Sequence, residues 1–208
     1  MLVGLSLTEF AGVLGSDAPA PGGGSVAALS GALGAELVSM VCRLSIGRQD
    51  LEPHKAELLA TLESAQTLSK RLLTSVDLDT EAFNHVMAAF KLPKQTDEEK
   101  KTRSAQIQAS YREAAQSPLA IARDCLGVLS QTQRIIGKSN PNALSDLGVA
   151  SQQAYAGLEG ASMNVKINLP AIKDGAFKTE TMTEVETLLA EGRKARDDVY
   201  KYLSANLG

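Results

Sequence analysis

Residues 21–47 read Pro21-Gly22-Gly23-Gly24-Ser25-Val26-Ala27-Ala28-Leu29-Ser30-Gly31-Ala32-Leu33-Gly34-Ala35-Glu36-Leu37-Val38-Ser39-Met40-Val41-Cys42-Arg43-Leu44-Ser45-Ile46-Gly47, and this stretch decides the fold. From Ser25 to Gly47 it is long, small and apolar, the pattern of a helix buried on most of its sides. Gly31, Gly34 and the many alanines let neighbouring helices come very close. The run is apolar enough to suggest a membrane span. Glu36 and Arg43 lie inside it, however, and would be costly at bilayer depth, so a core helix of a soluble protein is expected, with no membrane partner. Pro19 and Pro21 stiffen the approach, and the glycines at 22, 23 and 24, with Ser25, allow backbone amides to face a ligand where the helix N-terminus favours anions.

On the N-terminal side, Ser6-Leu7-Thr8-Glu9 has the form of a capping box, which places a short helix from there to Leu14 and leaves Ser16–Gly24 as a loop. On the C-terminal side, Pro53 can open a third helix whose leucine pattern, Leu58, Leu62, Leu68 and Leu72, continues to Phe90. Leu92-Pro93-Lys94-Gln95-Thr96-Asp97 interrupts it, and Thr96 or Asp97 can cap a charged helix from Glu98. Ser117-Pro118 marks a new helix or a kink, with Gly137 as its stop. Asn142–Asn168 reads as another long helix closed before Pro170, and Thr181–Leu203 as a last amphipathic one. Six or seven helices with short connections make an all-α, up-and-down bundle.

Composition agrees. Aromatic residues are 4% of the chain and Trp is absent, whereas sheets lean on aromatic faces; hydrophobic residues at 44% and charged residues at 22% suit a folded globular protein. The 208 residues suffice for one domain, taken as 1–208. A net charge of −3 with no basic patch argues against nucleic acid. No basic flank precedes an apolar core at the N-terminus, so a cytoplasmic location is expected. Cys42 and Cys125 lack CxxC spacing or His company and read as buried free thiols; His54 and His85 fit neither a triad nor a metal set, and no metal is expected.

Two helical stripes carry chemistry. Leu72, Val76, Asp79, Phe83, Val86 and Phe90 step by four and three along one face, and five of the six are apolar. Desolvation in such a stripe raises a carboxyl pKa toward values useful to a general base or acid; the alternative is a core Asp satisfied by a hydroxyl, an amide or a cation. Asp146, Ala150, Gln153, Gly157, Gly160, Asn164 and Asn168 form the second stripe, in which polar groups alternate with tiny ones. It suits either a flat ligand or a tight helix crossing. Glu36 and Arg43 interrupt the apolar second helix, as an internal ion pair or, through Arg43, as an anion grip.

Together, Ala18-Pro19-Ala20-Pro21-Gly22-Gly23-Gly24-Ser25, Asp79-Thr80-Glu81-Ala82-Phe83, Leu92-Pro93-Lys94, Ser145-Asp146 and Asn164-Val165-Lys166-Ile167-Asn168-Leu169 resemble the formiminotransferase-cyclodeaminase family over nearly the whole chain. Val38-Ser39-Met40-Val41-Cys42 and Ile46-Gly47 are similar to its stand-alone bacterial cyclohydrolase branch. Gln95 stands where the family pattern has Asn, and no formiminotransferase domain is present. The resemblance implies a dimerising helical bundle that takes a tetrahydrofolate derivative without metal or redox cofactor. It implies hydrolysis of 5,10-methenyltetrahydrofolate to 10-formyltetrahydrofolate; the alternatives are cyclodeamination of 5-formiminotetrahydrofolate with release of ammonia, or non-catalytic folate binding. Asp79 matches the family's proton acceptor. Substrate contacts are then expected from Gly22, Gly23, Gly24 and Ser25, from Asp146, Asn164 and Asn168 at the pterin edge, and from Lys94, Lys91 or Arg43 at the glutamate tail.

Overall fold

The computed structural model describes residues 1–207, and among them the regular structure is entirely helical. Six α-helices follow one another: α1 Leu7–Leu14, α2 Gly23–Ser45, α3 Lys55–Phe90, α4 Asp97–Ile135, α5 Leu144–Asn168 and α6 Gly175–Asn206. Side-chain caps place three of the six starts. Ser6 with Glu9 and Thr96 with Glu99 form reciprocal capping boxes, and the Asp174 side chain accepts the Phe177 amide.

Several boundaries differ from the sequence expectation. α2 begins at Gly23 rather than Ser25, with Gly22 as its cap. Pro53 belongs to a 3-10 segment, Gln49–His54, so α3 starts at Lys55. α6 starts at Gly175, a full turn and more before Thr181, because Asp174 supplies a cap that the amphipathic pattern does not register. The most informative difference is at Pro118, which lies inside a continuous α4. Proline removes the donor that would bond the carbonyl of Ala114, four residues earlier. The Asn168 side-chain amide donates to that carbonyl at 2.9 Å, so a group from α5 replaces the missing helical bond.

Antiparallel α2, α3, α4 and α5 form a four-helix ring in which each packs against its two neighbours, and α6 closes over α4 and α5. Cross-helix pairs give the register. Gly24 faces Asp79 and Gly31 faces Leu72, setting α2 antiparallel to α3; Gly34 meets Ala150 and Gly157 meets Ala27, setting α2 antiparallel to α5. Arg123–Glu184 and Gln133–Asp198 run α4 alongside α6 in the same direction. At the α2–α5 crossing a Cβ on Gly157 would lie 2.7 Å from the Ala27 carbonyl oxygen, so the backbones meet where side chains are missing. α2 is long and apolar enough to cross a membrane, yet it forms one wall of this ring, with Ala28, Ala35, Val38, Val41 and Cys42 wholly buried.

The ring's helices differ in length, and this difference makes the site. α2 begins at the level of Asp79 and α5 ends at the level of Ala114, whereas α3 and α4 continue past them as a hairpin. Where two helices stop and two go on, a recess is left at the end of the bundle.

Candidate active site

That recess is a cleft of about 430 Å³. The start of α2 and the end of α5 form its floor through Gly22, Gly23, Asn164 and Asn168, while Phe83, Val86 and Phe90 of α3 and Tyr111 of α4 form an apolar wall. Asp79 sits where floor and wall meet. The Leu72-to-Phe90 stripe is therefore continuous but divided in use: Leu72 and Val76 are core, and the members from Asp79 onward face the cleft.

The glycine at 24 is required by the carboxylate. A Cβ there would overlap the Asp79 carboxylate, so any other residue displaces this acid from its place against the first turn of α2. Burial pushes the Asp79 carboxyl above the usual carboxylate range, and the Ser25 backbone amide and side chain beside it oppose that rise without cancelling it. The positive end of the α2 dipole acts in the same direction as Ser25. Ser25 itself is wholly buried; its hydroxyl donates to the Val76 carbonyl at 2.8 Å and lies 3.3 Å from the Thr80 hydroxyl. Gly24 and Ser25 thus support the carboxylate from behind.

Asn168 spends both of its amide N–H groups on backbone, and Asn164 spends one of its two. Asn164 Nδ2 donates to the Gly160 carbonyl, and Asn168 Nδ2 donates to the carbonyls of Ala114 and Asn164, each at 2.9 Å. Their Oδ1 atoms remain as acceptors on the cleft floor. Gly23 keeps that floor low, since a Cβ on it would meet Asn164 Nδ2 at 3.0 Å.

Other expected contacts lie apart from this cleft. Asp146 is eighteen residues before Asn164 on the same helix, about 27 Å away along its axis, because a seven-residue stripe that shares one direction still spreads over about six turns. Arg43, near the far end of α2, lines a separate shallow groove with Glu36, Leu33, Leu37, Met40 and Val149. Glu36 does not pair with Arg43 but accepts from the Ser69 hydroxyl at 2.7 Å. Lys91 and Lys94 are exposed at and after the end of α3, outside the cleft lining. Conversely, Thr80, Met87, Tyr111 and Ile167 line it unforeseen. Thr80 and Met87 flank the acidic stripe and were open to periodicity; Tyr111 depends on the α3–α4 register, which no local pattern reveals.

The formiminotransferase-cyclodeaminase family model matches residues 6–187. The chain belongs to this family. A methenyltetrahydrofolate cyclohydrolase of Methylorubrum extorquens is 42% identical over 97% of both chains. The formimidoyltransferase-cyclodeaminase of Sus scrofa is 37% identical over 90% of this chain, which spans 35% of that longer protein. Among solved structures, a formiminotetrahydrofolate cyclodeaminase of Thermotoga maritima superimposes with a TM-score of 0.89 over 98% of each chain at 26% identity. The family match runs from α1 into the first half of α6 and includes the glycine turn, Asp79 and both asparagines.

Proposed function

We propose that the protein is a methenyltetrahydrofolate cyclohydrolase of one-carbon metabolism, acting in the cytoplasm, with Asp79 as general base. The observation that carries this reading is a half-buried carboxylate of raised pKa at the base of a cleft with a largely apolar wall and two asparagine side chains on its floor. The near full-length identity to the Methylorubrum extorquens cyclohydrolase supports the same substrate.

In 5,10-methenyltetrahydrofolate the bridging carbon is an electron-poor amidinium. The Asp79 carboxylate takes a proton from water as the oxygen adds to that carbon, giving a neutral tetrahedral carbinolamine. The protonated Asp79 then delivers its proton to N5 as the carbon–N5 bond breaks, and loss of the hydroxyl proton leaves the formyl group on N10. The balance is substrate cation plus water to neutral product plus one proton. One group of raised pKa serves both transfers, and the route requires no metal or redox cofactor. The cationic substrate favours the ionised carboxylate on binding, so the base is recharged by the molecule it acts on. The Oδ1 acceptors of Asn164 and Asn168 suit the N–H edge of the pterin, and Phe83 and Phe90 suit the benzoyl ring.

Cyclodeamination of 5-formiminotetrahydrofolate passes through a tetrahedral carbon in the same position and remains the second reading, supported by the Thermotoga maritima relative. Purified protein given each substrate separates the two: accelerated loss of methenyl absorbance above the spontaneous rate is expected, whereas its appearance with ammonia release from the formimino compound alone would replace the hydrolase assignment.

The groove between α2 and α5 fits a second copy of the chain. Leu33 and Val149 are about half exposed there, an apolar surface that pairing across a two-fold axis would cover.

A further inference from the structure

The cleft holds a carboxylate and amide acceptors but no cation, while a folate carries carboxylates at its far end. Beyond Phe90, the apolar wall leads to one guanidinium. Arg103, on the second turn of α4, is partly buried, and its Nε and Nη2 point at the Phe90 carbonyl from 3.4 and 3.2 Å. Its Cζ lies 5.5 Å from the centre of the Phe90 ring, which lines the cleft and meets Tyr111 edge-on at 6.1 Å. Arg103 makes no ion pair among the described residues, although acids are near. Glu99 is committed to the amides of Gln95 and Thr96, and Asp97 pairs with Lys100; Glu98 shares a shallow groove with Arg103 without bonding to it.

A guanidinium has five N–H donors in a planar fork, and one carbonyl does not satisfy them. The remaining donors are held beside the aromatic that ends the cleft. Asp79 and Phe90 are eleven residues apart on α3, about 16 Å along the axis, a span suited to a benzoyl ring followed by one amino acid when the reacting carbon is at Asp79. We propose that Arg103 is the carboxylate-binding residue for the glutamate tail of the folate, giving the cleft its preference for glutamyl over tail-less pterins. This rests on the folate reading of the site, and it moves the tail contact from Lys94 and Arg43 to a side chain stacked on the cleft wall.

The test compares wild type, Arg103→Ala and Arg103→Lys on 5,10-methenyltetrahydrofolate and on 5,10-methenyltetrahydropteroate, which lacks the glutamate. Calorimetric titration with the 5-formyl forms of both provides a readout independent of turnover. Wild type is expected to favour the glutamyl compounds by about tenfold to a hundredfold, the range of a charged hydrogen-bonded pair. Arg103→Ala should raise KM and Kd for the glutamyl compounds by that factor, leaving kcat and the tail-less compounds unchanged; Arg103→Lys should recover part of it, since lysine keeps the charge but not the fork. A residue that only ties α4 to the end of α3 would weaken both ligands alike, and that result overturns the proposal, as does equal wild-type affinity for the two. If no substrate turns over but the glutamate preference is present and vanishes in Arg103→Ala, the tail assignment stands and the hydrolase reading falls.

Discussion

Asp79 joins a structural task to the chemical one proposed for it. It faces the cleft, and it also supplies the anion at the start of α2, where backbone amides lack helical partners. Asp79→Asn keeps the shape and removes the charge, so kcat should fall by orders of magnitude while far-UV circular dichroism is unchanged; normal turnover by this variant would exclude Asp79 as the base. Stability gives a second check. A carboxyl whose folded pKa lies above its unfolded value near 4 binds more protons folded than unfolded, so its contribution is lost as pH rises through that window. Asp79→Asn should therefore melt higher than wild type at pH 7, with the gap closing below about pH 4; thermal melts at the two pH values measure it. Periodicity made Asp79 conspicuous, because a charge in an apolar stripe is visible along one helix. Its contact with Gly24 was not, since fifty-four intervening residues have to fold before the two meet.

At the scale of elements, α2 and α5 depend on what their glycines lack. Replacing a helical glycine by alanine gains about 1 kcal/mol of intrinsic propensity. At Gly157 the added carbon would meet the Ala27 carbonyl at 2.7 Å and Cys125 Sγ at 2.8 Å, neither of which can swing aside. Overpacking costs about 1–3 kcal/mol, so after the propensity gain Gly157→Ala should lower stability by up to about 2 kcal/mol in urea unfolding. A stabilised variant would show that propensity outweighs the crossing. The stripe from Asp146 to Asn168 divides along its length: its middle is the tight crossing weighed for it, and its C-terminal end is cleft floor, where a ligand contact is the proposal. α4 teaches the complementary point. A proline reads as a break because the bond it removes is local, yet the orphaned Ala114 carbonyl is satisfied by Asn168 from another helix, and α4 runs on.

At the scale of the molecule, unequal helix lengths leave the recess that becomes the cleft, and the α2–α5 face stays open for a second copy. Leu33→Glu, placing a charge in that groove, should shift the sedimentation coefficient from dimer to monomer; a monomeric wild type would remove the proposed interface. By itself the sequence determined the helices, the bundle and the carriers of local signals: caps, the apolar stripe around Asp79, and the glycine turn. Those are set by interactions within a few residues and by periodicity, which are written along the chain. Only the tertiary structure decided that Asp146 and Arg43 stand apart from the cleft, that Thr80 and Tyr111 line it, and that Arg103 stacks on its wall. Such facts depend on register between helices, and register is set by how glycines and side chains interlock across the ring.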